Sequence, residues 1–598
     1  MQENGSQFIC KALHEEGVEV IFGYPGGAAL NIYDEVYKQN YFKHILVSHE
    51  QSAVHAADGY ARATGKVGVA LVTSGPGFTN TITGIATAYA DSIPVVLISA
   101  QVANSLIGTD AFQEIDAVGI SRPCVKHNYL VKTIEELPRV IKEAFFIANS
   151  GRKGPVHIDI PKDITAAMID AKYPKTISLK TYKPTYKGNS KQIKRLKDAI
   201  LASNKPLLYL GGGCVDASKE IRDFVEFSKI PAVSTLMALG TLRYDDKMNP
   251  KMAGMHGNYA ANMALSECDL LIACGARFDD RITGKTSEFA KHAKIIHIDI
   301  DPSSISKIIP ADIPVVGDVK NIIKDLHENM KEDRLPDFSD WHGVLSRYEN
   351  LYPFGYDDSN EVLKPQWVIQ ECAKIVDKKL KKHANIITDV GQHQMWVAQF
   401  YPFNEPRRLS TSGGLGTMGY SIPAALGVSV GKKNEPVINF VGDGSILMSI
   451  QELATLSKED IKVINIVLNN QFLGMVRQWQ SRFYDERFSN TDLSKKQPDF
   501  MKIAEGFGCK GYNVSTKDEF KKAFESALED TQSSVLNVYI DRFEDVLPMV
   551  PAGAAIYNMI LRENKLENFQ KEWDSRKQNQ KVLASKKGEK KWEEHYQL

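Results

Sequence analysis

The chain contains two short apolar runs, PVINFV at 436–441 and KVINIVL at 462–468, separated by a stretch with helical periodicity. Short runs rich in Val and Ile are typical of strands buried in a parallel sheet. Between them, Ser449-x-x-Glu452 matches a capping box, which predicts the start of a helix. A strand, a helix and a second strand form a βαβ unit, whose crossover is almost always right-handed. This segment therefore commits the chain to an α/β fold built on a parallel sheet.

Polar residues follow both predicted strands. Gly442, Asp443 and Gly444 come after the first run, and Asn470 comes after the second. The carboxyl ends of neighbouring parallel strands lie at one edge, where open α/β sheets bind ligands. A carboxylate and an amide oxygen suit Mg²⁺, and the glycines let the backbone approach a phosphate closely. The pattern predicts a metal–diphosphate clamp; two turns that merely end strands are the structural alternative.

The alternation of buried strands and helical patterns also occurs in two earlier parts of the 598-residue chain. A chain of this length exceeds what one hydrophobic core usually serves. We therefore predict an α/β protein with three doubly wound parallel-sheet domains, joined by irregular stretches at about 171–189 and 336–364. The predicted domains cover 1–170, 190–335 and 365–548, and a charged C-terminal tail covers 549–598.

Composition excludes several classes of function. Lys plus Arg and Asp plus Glu both total 73, so the overall charge indicates neither nucleic acid nor an anionic membrane as a partner. The seven cysteines show no C-x-x-C spacing, and no apolar stretch reaches the length of a membrane span. The polar start MQENGSQ lacks the apolar core of a signal peptide. We expect a soluble cytoplasmic protein with reduced thiols.

The GDG and NN motifs resemble the signature of thiamine diphosphate-dependent enzymes. In that family an aspartate, the second asparagine and a main-chain carbonyl two residues later hold Mg²⁺, which anchors the diphosphate. The resemblance implies that Asp443, Asn470 and the carbonyl of Phe472 bind the metal. It also implies a pyrimidine-binding first domain, an FAD-binding-like central domain and a third domain that binds the diphosphate.

Glu50 follows the predicted strand HILVS and opens an Ala-rich helix. From the residues alone, a glutamate favoured by the helix dipole is an equally good explanation. The surrounding HEQSAVHAADGYAR resembles the family motif whose water-shielded glutamate binds N1′ of the aminopyrimidine and activates the cofactor. Because Glu50 and Asp443 lie in different predicted domains, the family arrangement implies a site shared by two subunits. A dimer is then the smallest active unit.

Three further stretches, at 22–30 (FGYPGGAAL), 108–132 and 474–484 (GMVRQWQSRFY), closely resemble the catalytic subunit of acetohydroxyacid synthase, also called acetolactate synthase. The resemblance covers about residues 5–555. It implies a carboligase, a transferase of aldehyde and ketone groups, that condenses two pyruvates to 2-acetolactate and CO₂, or pyruvate with 2-ketobutyrate to 2-aceto-2-hydroxybutyrate. This is the first common step of valine, leucine and isoleucine biosynthesis. The implied assembly is a homodimer or a dimer of dimers; many members also bind a small regulatory subunit, on which this sequence is silent.

The resemblance also implies the roles of individual residues. Arg281 is expected to bind the carboxylate of the acceptor, and Trp479 to border the pocket for the second keto acid. Met418 is expected to lie under the cofactor and force its bent form. A core methionine, a buried structural histidine and a core tryptophan are the alternatives for Met418, His393 and Trp479. The other positions expected to line the active site or cradle the cofactor are Gly26, Phe112, Gln113, Lys132, Gln392, His393, Gly416, Gly442, Gly444, Ser445, Gly474 and Met475.

The middle domain raises the question of a flavin. LGGGC (210–214) is an incomplete dinucleotide motif, whereas 275–284 (GARFDDRITG), 297–301 and 315–319 place charged residues after predicted strands. The R-F-D-D-R segment resembles that of the biosynthetic synthases that carry FAD. FAD is therefore expected, in a structural role because the reaction is redox-neutral; a solvated turn rich in salt bridges is the alternative. The expected contacts are Arg122, Gly211, Gly212, His256, Arg277, Asp279, Asp299 and Asp318.

Three other functions are weighed against this one. A thiamine- and flavin-dependent oxidase would pass electrons to FAD or oxygen and produce acetate and peroxide. A simple decarboxylase is disfavoured because the chain has no adjacent His-His pair. A degenerate relative acting as a binding scaffold is disfavoured because Glu50, Asp443 and Asn470 are all present.

Overall fold

The computed structural model describes residues 2–380 and 383–562, which form two compact units. The first unit consists of Met1–Pro184, Asp358–Tyr401 and Arg407–Glu544, and the second of Thr185–Asp357, Pro402–Pro406 and the described residues from Asp545 onward. Residues 563–598, most of the predicted tail, lie outside the described residues. No helix in the described ranges is long and apolar enough to cross a membrane.

The first domain has a six-stranded parallel sheet, in which the predicted strand HILVS forms an edge strand (Lys43–Leu46) rather than a buried inner one. Its strands are β1 (Glu3–Asn4), β2 (Val20–Gly23), β3 (Lys43–Leu46), β4 (Gly68–Val72), β5 (Val95–Gln101), β6 (His127–Leu130), β7 (Val156–Pro161) and β8 (Met168–Ile169). Its helices are α1 (Gly5–Glu15), α2 (Leu30–Lys38), α3 (Glu50–Thr64), α4 (Pro76–Thr79), α5 (Ile82–Asp91), α6 (Ala117–Ser121), α7 (Leu137–Asn149) and α8 (Lys162–Ala166). The sheet has the order β3-β2-β4-β5-β7-β6, and the short strands β1 and β8 pair separately in antiparallel fashion.

The middle domain has a five-stranded parallel sheet with the order 10-9-11-12-13. Its strands are β9 (Pro206–Leu210), β10 (Ala232–Ser234), β11 (Leu270–Cys274), β12 (Lys294–Asp299) and β13 (Ile313–Val316). Its helices are α9 (Ser190–Leu201), α10 (Ser218–Ser228), α11 (Tyr259–Glu267), α12 (Asp280–Thr283), α13 (Val319–Met330) and α14 (Ser339–Leu351).

The third domain again has a six-stranded parallel sheet, with the order 15-14-16-17-19-18. Its strands are β14 (Asn385–Thr388), β15 (Leu409–Ser410), β16 (Val437–Gly442), β17 (Ile464–Asn469), β18 (Lys510–Val514) and β19 (Ser534–Tyr539). Its helices are α15 (Pro365–Leu380), α16 (Gln392–Phe400), α17 (Ser421–Gly431), α18 (Glu452–Lys458), α19 (Gly474–Phe483), α20 (Phe500–Gly506) and α21 (Lys517–Glu529). The predicted α/β class and the three parallel sheets are confirmed.

One predicted irregular stretch is in fact partly helical. Helix α14 occupies the middle of 336–364 and buries Trp341, Leu345 and Tyr348 in the core of the second unit. Together with the half-buried Val344 and Leu351 they follow the spacing of one helix face, and the remaining residues of the helix are polar or Gly. The periodicity of an amphipathic helix was therefore present in the sequence, and the prediction of an irregular segment was wrong there.

The predicted capping box at Ser449 is also wrong. Helix α18 begins only at Glu452, after a 3₁₀ turn over Ile446–Met448, and its N-cap is Gln451. The carboxylate of Glu452 accepts the hydroxyl of Thr455 at 2.7 Å and the backbone N–H of Ser48 at 3.1 Å. The Glu452 side chain therefore makes a tertiary contact in place of the local hydrogen bond that a capping box requires.

In the first unit, α3 of the first domain packs directly on α17 of the third. Both helices are rich in Ala and Gly, and their backbones touch at two glycines. A Cβ on Gly59 would overlap the carbonyl oxygen of Ala424, and a Cβ on Gly427 would overlap that of Ala56. This close approach explains why α3 is buried from Ser52 to Ala63. The first and third sheets thus share one continuous core.

The beginning of the predicted tail is folded. Met549 and Ile560 form an antiparallel bridge, and the backbone N–H of Lys285 donates to the carbonyl of Ala554 at 2.9 Å. Val550 and Ile556 are buried in the core of the second unit. Residues 549–562 therefore belong structurally to that unit.

Candidate active site

Asp443 and Asn470 lie at the same edge of the third sheet. Strands β16 and β17 pair in parallel with Gly442 opposite Leu468, so the residues that follow both strands emerge side by side. Asp443 is only 2% exposed, and Asn470 is buried as well. The backbone N–H of Gln471, next to Asn470, also interacts with the Asp443 carboxylate. The structure therefore brings together the two residues that the sequence proposed for a metal.

The Asp443 carboxylate has a polar but cation-free environment among the described residues. Its Oδ2 accepts the side-chain amide of Gln497 at 2.6 Å, and that amide also reaches Oδ1 of Asn469 at 3.1 Å. Burial raises the pKa of Asp443 to about 7. Because a buried carboxylate is costly to ionise without a positive partner, a divalent cation at this position would be strongly favoured.

The side chain of Asn470 is held in a defined orientation. Its Oδ1 accepts the backbone N–H of Phe472 at 3.1 Å, and its Nδ2 donates to Oε1 of Gln392 at 3.1 Å. Gln392 is fixed in turn, since its Nε2 donates to Gln478 at 2.9 Å. Gln471 has a left-handed backbone (φ 60°), which turns the chain between Asn470 and Phe472. Asn470 and the Phe472 backbone thus form one compact turn at the sheet edge.

The glycines around these residues form a tight cradle. A Cβ on Gly474 would overlap Oε1 of Gln392, and a Cβ on Gly442 would lie 3.1 Å from the ring of His393. Ser445 Oγ is 3.2 Å from the backbone nitrogen of Gly442 and can accept its N–H. Only glycine lets the backbone approach the side chains of Gln392 and His393 this closely.

His393 points into this cradle as a neutral donor or acceptor. It is buried, and burial lowers its pKa to about 3, so the imidazole is uncharged at neutral pH. Its Nε2 has no hydrogen-bond partner in the described part of the chain. A buried ring nitrogen without a partner is unusual in a folded protein and indicates that a bound group completes it. The chemistry of this edge fits a metal-bound diphosphate.

The loop from Thr411 to Tyr420 carries the predicted cofactor residues Gly416 and Met418. Gly416 is exposed and has a left-handed backbone (φ 73°), and Met418 is half-buried. The carboxylate of Asp389 accepts the backbone N–H groups of Gly419 and Ser421, both at 3.0 Å. Asp389 therefore fixes the C-terminal end of the loop against β14.

Glu50 lies at the equivalent edge of the first sheet. It is the first residue of α3 and half-buried, and its Oε2 accepts the side-chain amide of Asn80 at 2.9 Å. Oε1 would lie 3.5 Å from a Cβ on Gly77. The described hydrogen-bond partners of Glu50 and of Asp443 are different residues, so each carboxylate has its own surroundings.

Gly26 and Gln113 gather near Glu50. A Cβ on Gly26 would collide with the side chain of Thr73, which directly follows β4. A Cβ on Gly75 would lie 3.0 Å from Cα of Gln113. Gln113 has a left-handed backbone (φ 60°). The structure places Phe112 and Lys132 at the surface, with Phe112 87% exposed.

Helix α19 carries Met475 and Trp479. Both are half-buried, and the ring of Trp479 lies 5.2 Å from that of Phe483. Trp479 is therefore not a core residue of the chain, in contrast to Trp396, which is 1% exposed. An indole on a partly open helix face is available to border a ligand.

Of the residues predicted to contact FAD, His256 lies in the segment between β10 and α11, and six others lie at the carboxyl edge of the middle sheet. They follow or end four neighbouring strands, and the backbones after β9 and β11 touch, because a Cβ on Gly211 would overlap the carbonyl oxygen of Gly275. Arg122 instead lies exposed in the first unit. The seven residues in the second unit are Gly211, Gly212, His256, Arg277, Asp279, Asp299 and Asp318.

Arg281 lies beside a small cavity of the second unit. Its side chain is 65% exposed, and the cavity of about 190 Å³ is also lined by Met255 and Val550. The backbone N–H of Arg281 is capped by Asp279 at 3.0 Å. His256 follows the cavity-lining residue Met255 and is buried; burial lowers its pKa to about 4, so this ring is neutral.

Sequence reasoning missed several residues that organise these edges. Asn80 binds Glu50, Gln497 binds Asp443, and Asp389 anchors the loop of Met418. Asn80 follows β4 in SGPGFTN and Asp389 follows β14 in TDVG, so polar residues after strands were an available signal. Gln497 lies in an irregular segment, and nothing local indicates its partner.

Models of thiamine pyrophosphate enzymes match the chain in three places. The N-terminal TPP binding domain matches residues 3–120, the central domain 193–326 and the C-terminal TPP binding domain 389–538. Each match falls on one of the three parallel sheets. Two of the matched domains are thiamine-binding domains and contain Glu50 and Asp443, respectively.

The chain is also similar to curated proteins over nearly its full length. It is 45% identical to the acetolactate synthase large subunit of Haemophilus influenzae over 572 residues, 94% of this chain and 99% of that protein. It is 44% identical to the acetolactate synthase isozyme 3 large subunit of Escherichia coli, with the same coverage. It is 46% identical to the probable acetolactate synthase large subunit of Methanocaldococcus jannaschii, over 93% of this chain and 95% of that protein. The chain therefore belongs to the acetolactate synthase large subunits, a family of thiamine diphosphate-dependent enzymes.

Proposed function

We propose that this acetolactate synthase performs its reaction at a composite site built from the carboxyl edges of its first and third sheets. Asp443, Asn470 and the carbonyl of Phe472 would hold Mg²⁺, which would anchor the diphosphate of the cofactor. The observation that carries the proposal is the parallel register of β16 and β17, which brings Asp443 and Asn470 to one glycine-lined edge. The raised pKa of buried Asp443 and the unpartnered Nε2 of His393 support a metal-bound anion there.

The cofactor, when bound, supplies a carbon that adds to the keto group of pyruvate and accepts the electron pair left behind by CO₂. The protein has to hold and move one proton. Glu50 is proposed to share that proton with N1′ of the aminopyrimidine. Asn80 occupies Oε2 of Glu50, so Oε1, which faces Gly77, is the oxygen left for the cofactor.

Two residues are proposed to handle the second keto acid. Arg281 has a planar guanidinium that is 65% exposed and lies 3.7 Å from the exposed carboxylate of Asp280; it is proposed to exchange this surface pair for the acceptor's carboxylate, with two hydrogen bonds. Trp479 is half-buried on α19 and is proposed to accommodate the alkyl group that distinguishes 2-ketobutyrate from pyruvate. An indole provides a large apolar surface for one extra methylene.

A dimer is proposed as the smallest active form. Within one chain, the Glu50 carboxylate and the Asp443 carboxylate have separate partners, Asn80 and Gln497. A second copy would supply Glu50 to the Asp443 edge of the first. The relatives are named as large subunits, so we also propose a smaller regulatory partner for this chain. Co-purification of a tagged chain with such a subunit tests the latter.

FAD is proposed to bind the carboxyl edge of the middle sheet. A Cβ on Gly212 would meet Met237 at 3.5 Å, an ordinary contact distance, so the turn after β9 leaves room for a diphosphate, and buried Asp299 can accept from a ribityl or ribose hydroxyl. The role is structural, because acetolactate synthesis transfers no electrons to a flavin. The flavin absorbance that remains after dialysis measures this binding. It should fall in Asp299→Ala and remain in Asp312→Ala, which alters an acid before β13 at the opposite edge of the sheet.

The experiment that tests the proposed site is a product assay with each component omitted in turn. The purified chain, supplied with pyruvate, thiamine diphosphate, Mg²⁺ and FAD, should form 2-acetolactate and CO₂. Omission of the cofactor, or chelation of Mg²⁺, should abolish product. Acetate and peroxide in place of acetolactate would instead indicate an oxidase, and full activity in the presence of a chelator would contradict the metal assignment.

A further inference from the structure

The loop from Thr411 to Tyr420 is held by the last turns of α5, which belongs to the first domain. Asp91 ends this helix, and its side chain is 1% exposed. Its Oδ2 accepts the backbone N–H of Gly413 at 2.9 Å, and its Oδ1 accepts that of Gly414 at 2.7 Å. One turn earlier, the hydroxyl of Thr87 lies 2.7 Å from that of Thr417. Helix α5 therefore forms hydrogen bonds with the loop on both sides of Gly416.

Helix α3 joins the same network through a buried chain of charges. Arg62 donates to Asp58 at 2.6 Å and to Asp91 at 2.8 Å. Asp58 also accepts the hydroxyl of Tyr420, the last residue of the loop, at 2.6 Å. The side chain of Arg62 is 5% exposed and that of Asp58 is fully buried. Both ends of the loop are thus tied to one ion-pair cluster.

This arrangement is not the simplest way to hold two domains together. Burying an ion cluster is costly, and well-packed apolar residues often stabilise an interface as well or better. The cluster instead fixes the geometry of the loop, because a carboxylate that accepts two neighbouring backbone N–H groups determines their positions. The anchored segment, SGGLG, has three glycines and would otherwise sample many conformations. Asp91 forms hydrogen bonds with the backbone of this segment, where they restrict the conformation most.

We propose that Asp91 and Thr87 are positioning residues that set the shape of the Thr411–Tyr420 loop for the cofactor. This rests on the proposed function, in which Gly416 and Met418 of that loop contact thiamine diphosphate. Asp91 acts on the backbone before Gly416, and Thr87 acts on the residue between Gly416 and Met418. The first domain therefore shapes the cofactor site of the third domain within the same chain, in addition to presenting Glu50.

The test uses the full-length protein and two independent variants, Asp91→Asn and Thr87→Val. Asp91→Asn removes the charge and one acceptor oxygen, whereas Thr87→Val removes one hydroxyl and leaves every charge in place. The readouts are the dissociation constant of thiamine diphosphate at saturating Mg²⁺, the circular dichroism of the bound cofactor, and the urea midpoint of the cofactor-free protein. We expect about tenfold weaker binding for Asp91→Asn and about threefold for Thr87→Val, with altered cofactor dichroism in both, because hydrogen bonds to charged groups contribute more than neutral ones.

Matched controls are available in the same domain. Asp34→Asn makes the same change on α2, where the side chain is 64% exposed, and Thr83→Val makes the same change at an exposed position on α5. Both should bind the cofactor as the unaltered protein does. If Asp91→Asn and Thr87→Val lowered the urea midpoint but kept the unaltered dissociation constant and dichroism, the network would be purely structural and the inference wrong. If Asp91→Asn did not fold, Thr87→Val would decide.

The same titrations separate this inference from the proposed function. Asp443→Ala should abolish Mg²⁺-dependent binding if the proposed cofactor site is correct. Loss of binding in Asp443→Ala with no change in either positioning variant would overturn only the role of Asp91 and Thr87. Unchanged binding in Asp443→Ala would overturn the proposed site itself.

Discussion

The carboxylate of Glu452, in the crossover helix between β16 and β17, accepts the backbone N–H of Ser48 at 3.1 Å. Ser48 lies just before Glu50, and Glu452 lies in the βαβ segment that carries Asp443 and Asn470. The contact joins the loop before the proposed proton-handling glutamate to the proposed metal-binding segment of the same chain. Glu452 is fully buried, whereas Ser48 is exposed, so the bond lies at the margin of the core.

Glu452→Ala should lower the free energy of unfolding by about 2–4 kcal/mol, because the N–H of Ser48 and the hydroxyl of Thr455 both lose a buried acceptor. Urea denaturation of the cofactor-free protein measures this. As a comparison, Glu525→Ala on α21 removes a carboxylate that is 45% exposed and paired with Lys379, and it should cost less than about 0.5 kcal/mol. Equal losses in the two variants would contradict the importance of the Ser48 contact.

Glu50→Gln should reduce the turnover of pyruvate by about 10²–10⁴, because the amide cannot exchange a proton with the cofactor. Binding of thiamine diphosphate should change little, since the diphosphate is proposed to be held elsewhere. The measurement is acetolactate formation at saturating cofactor, together with a binding titration. Glu220→Gln, in the first turn of α10, is the matched control and should keep normal turnover. A Glu50→Gln protein with more than a tenth of the normal rate would count against the assignment.

Asp443→Asn should weaken Mg²⁺-dependent binding of thiamine diphosphate by at least about a hundredfold, because Mg²⁺ prefers a charged carboxylate oxygen to an amide oxygen. Calorimetric titration of the cofactor at fixed Mg²⁺ gives the constant. Asp460→Asn is a close control: this exposed residue has a left-handed backbone (φ 52°), which asparagine also tolerates. Similar affinities for the two variants would exclude Asp443 as the metal ligand.

Trp479→Leu should change which second keto acid is used. The smaller side chain removes the surface proposed to contact the extra methylene of 2-ketobutyrate, so the share of 2-aceto-2-hydroxybutyrate should fall by about tenfold. The product ratio in a mixture of pyruvate and 2-ketobutyrate reports this directly. Trp367→Leu, at a half-buried position on α15, should leave the ratio unchanged. An unchanged ratio in Trp479→Leu would move the acceptor pocket elsewhere.

The buried acid Asp159 predicts a pH dependence of stability. Burial raises its pKa in the folded protein to about 6, from a usual value of 3.8. Below pH 4 the group is protonated in both states; between pH 4 and 6 the unfolded chain ionises while the folded protein does not. The native protein should therefore lose about 2–3 kcal/mol of stability, relative to Asp159→Asn, as the pH rises from 4 to 6. Denaturation curves for both proteins across that range test it, and parallel curves would contradict it.

The sequence predicted the central features of the fold because they depend on local patterns. PVINFV and KVINIVL became β16 and β17, paired as expected, since continuous Val and Ile runs rarely serve any other purpose. Short outer strands such as β15, with two residues, and β18, whose residues are mostly not buried, left no such pattern. Their pairing is set by neighbours distant in sequence.

The proposed site was predictable where polar residues directly follow strands. Asp443 and Asn470 could be found in this way, whereas Glu50 was selected only by the family resemblance, and Gln497 and Asp91 could not be found. Gln497 meets Asp443 from an irregular segment, and Asp91 meets the backbone of Gly413, which has no side chain to signal the contact. The capping box at Ser449 failed for the same reason, because Glu452 found a partner 404 positions away.

Helix α3 has an unusual position in this molecule. Its first residue is Glu50, and about 12 Å further along its axis Asp58 supports the loop of Met418 through Tyr420. If Glu50 completes the site of a second copy while the loop serves its own chain, a single rigid rod touches two reaction centres at once. A displacement of α3 on ligand binding at one centre would then change the geometry of the other as well.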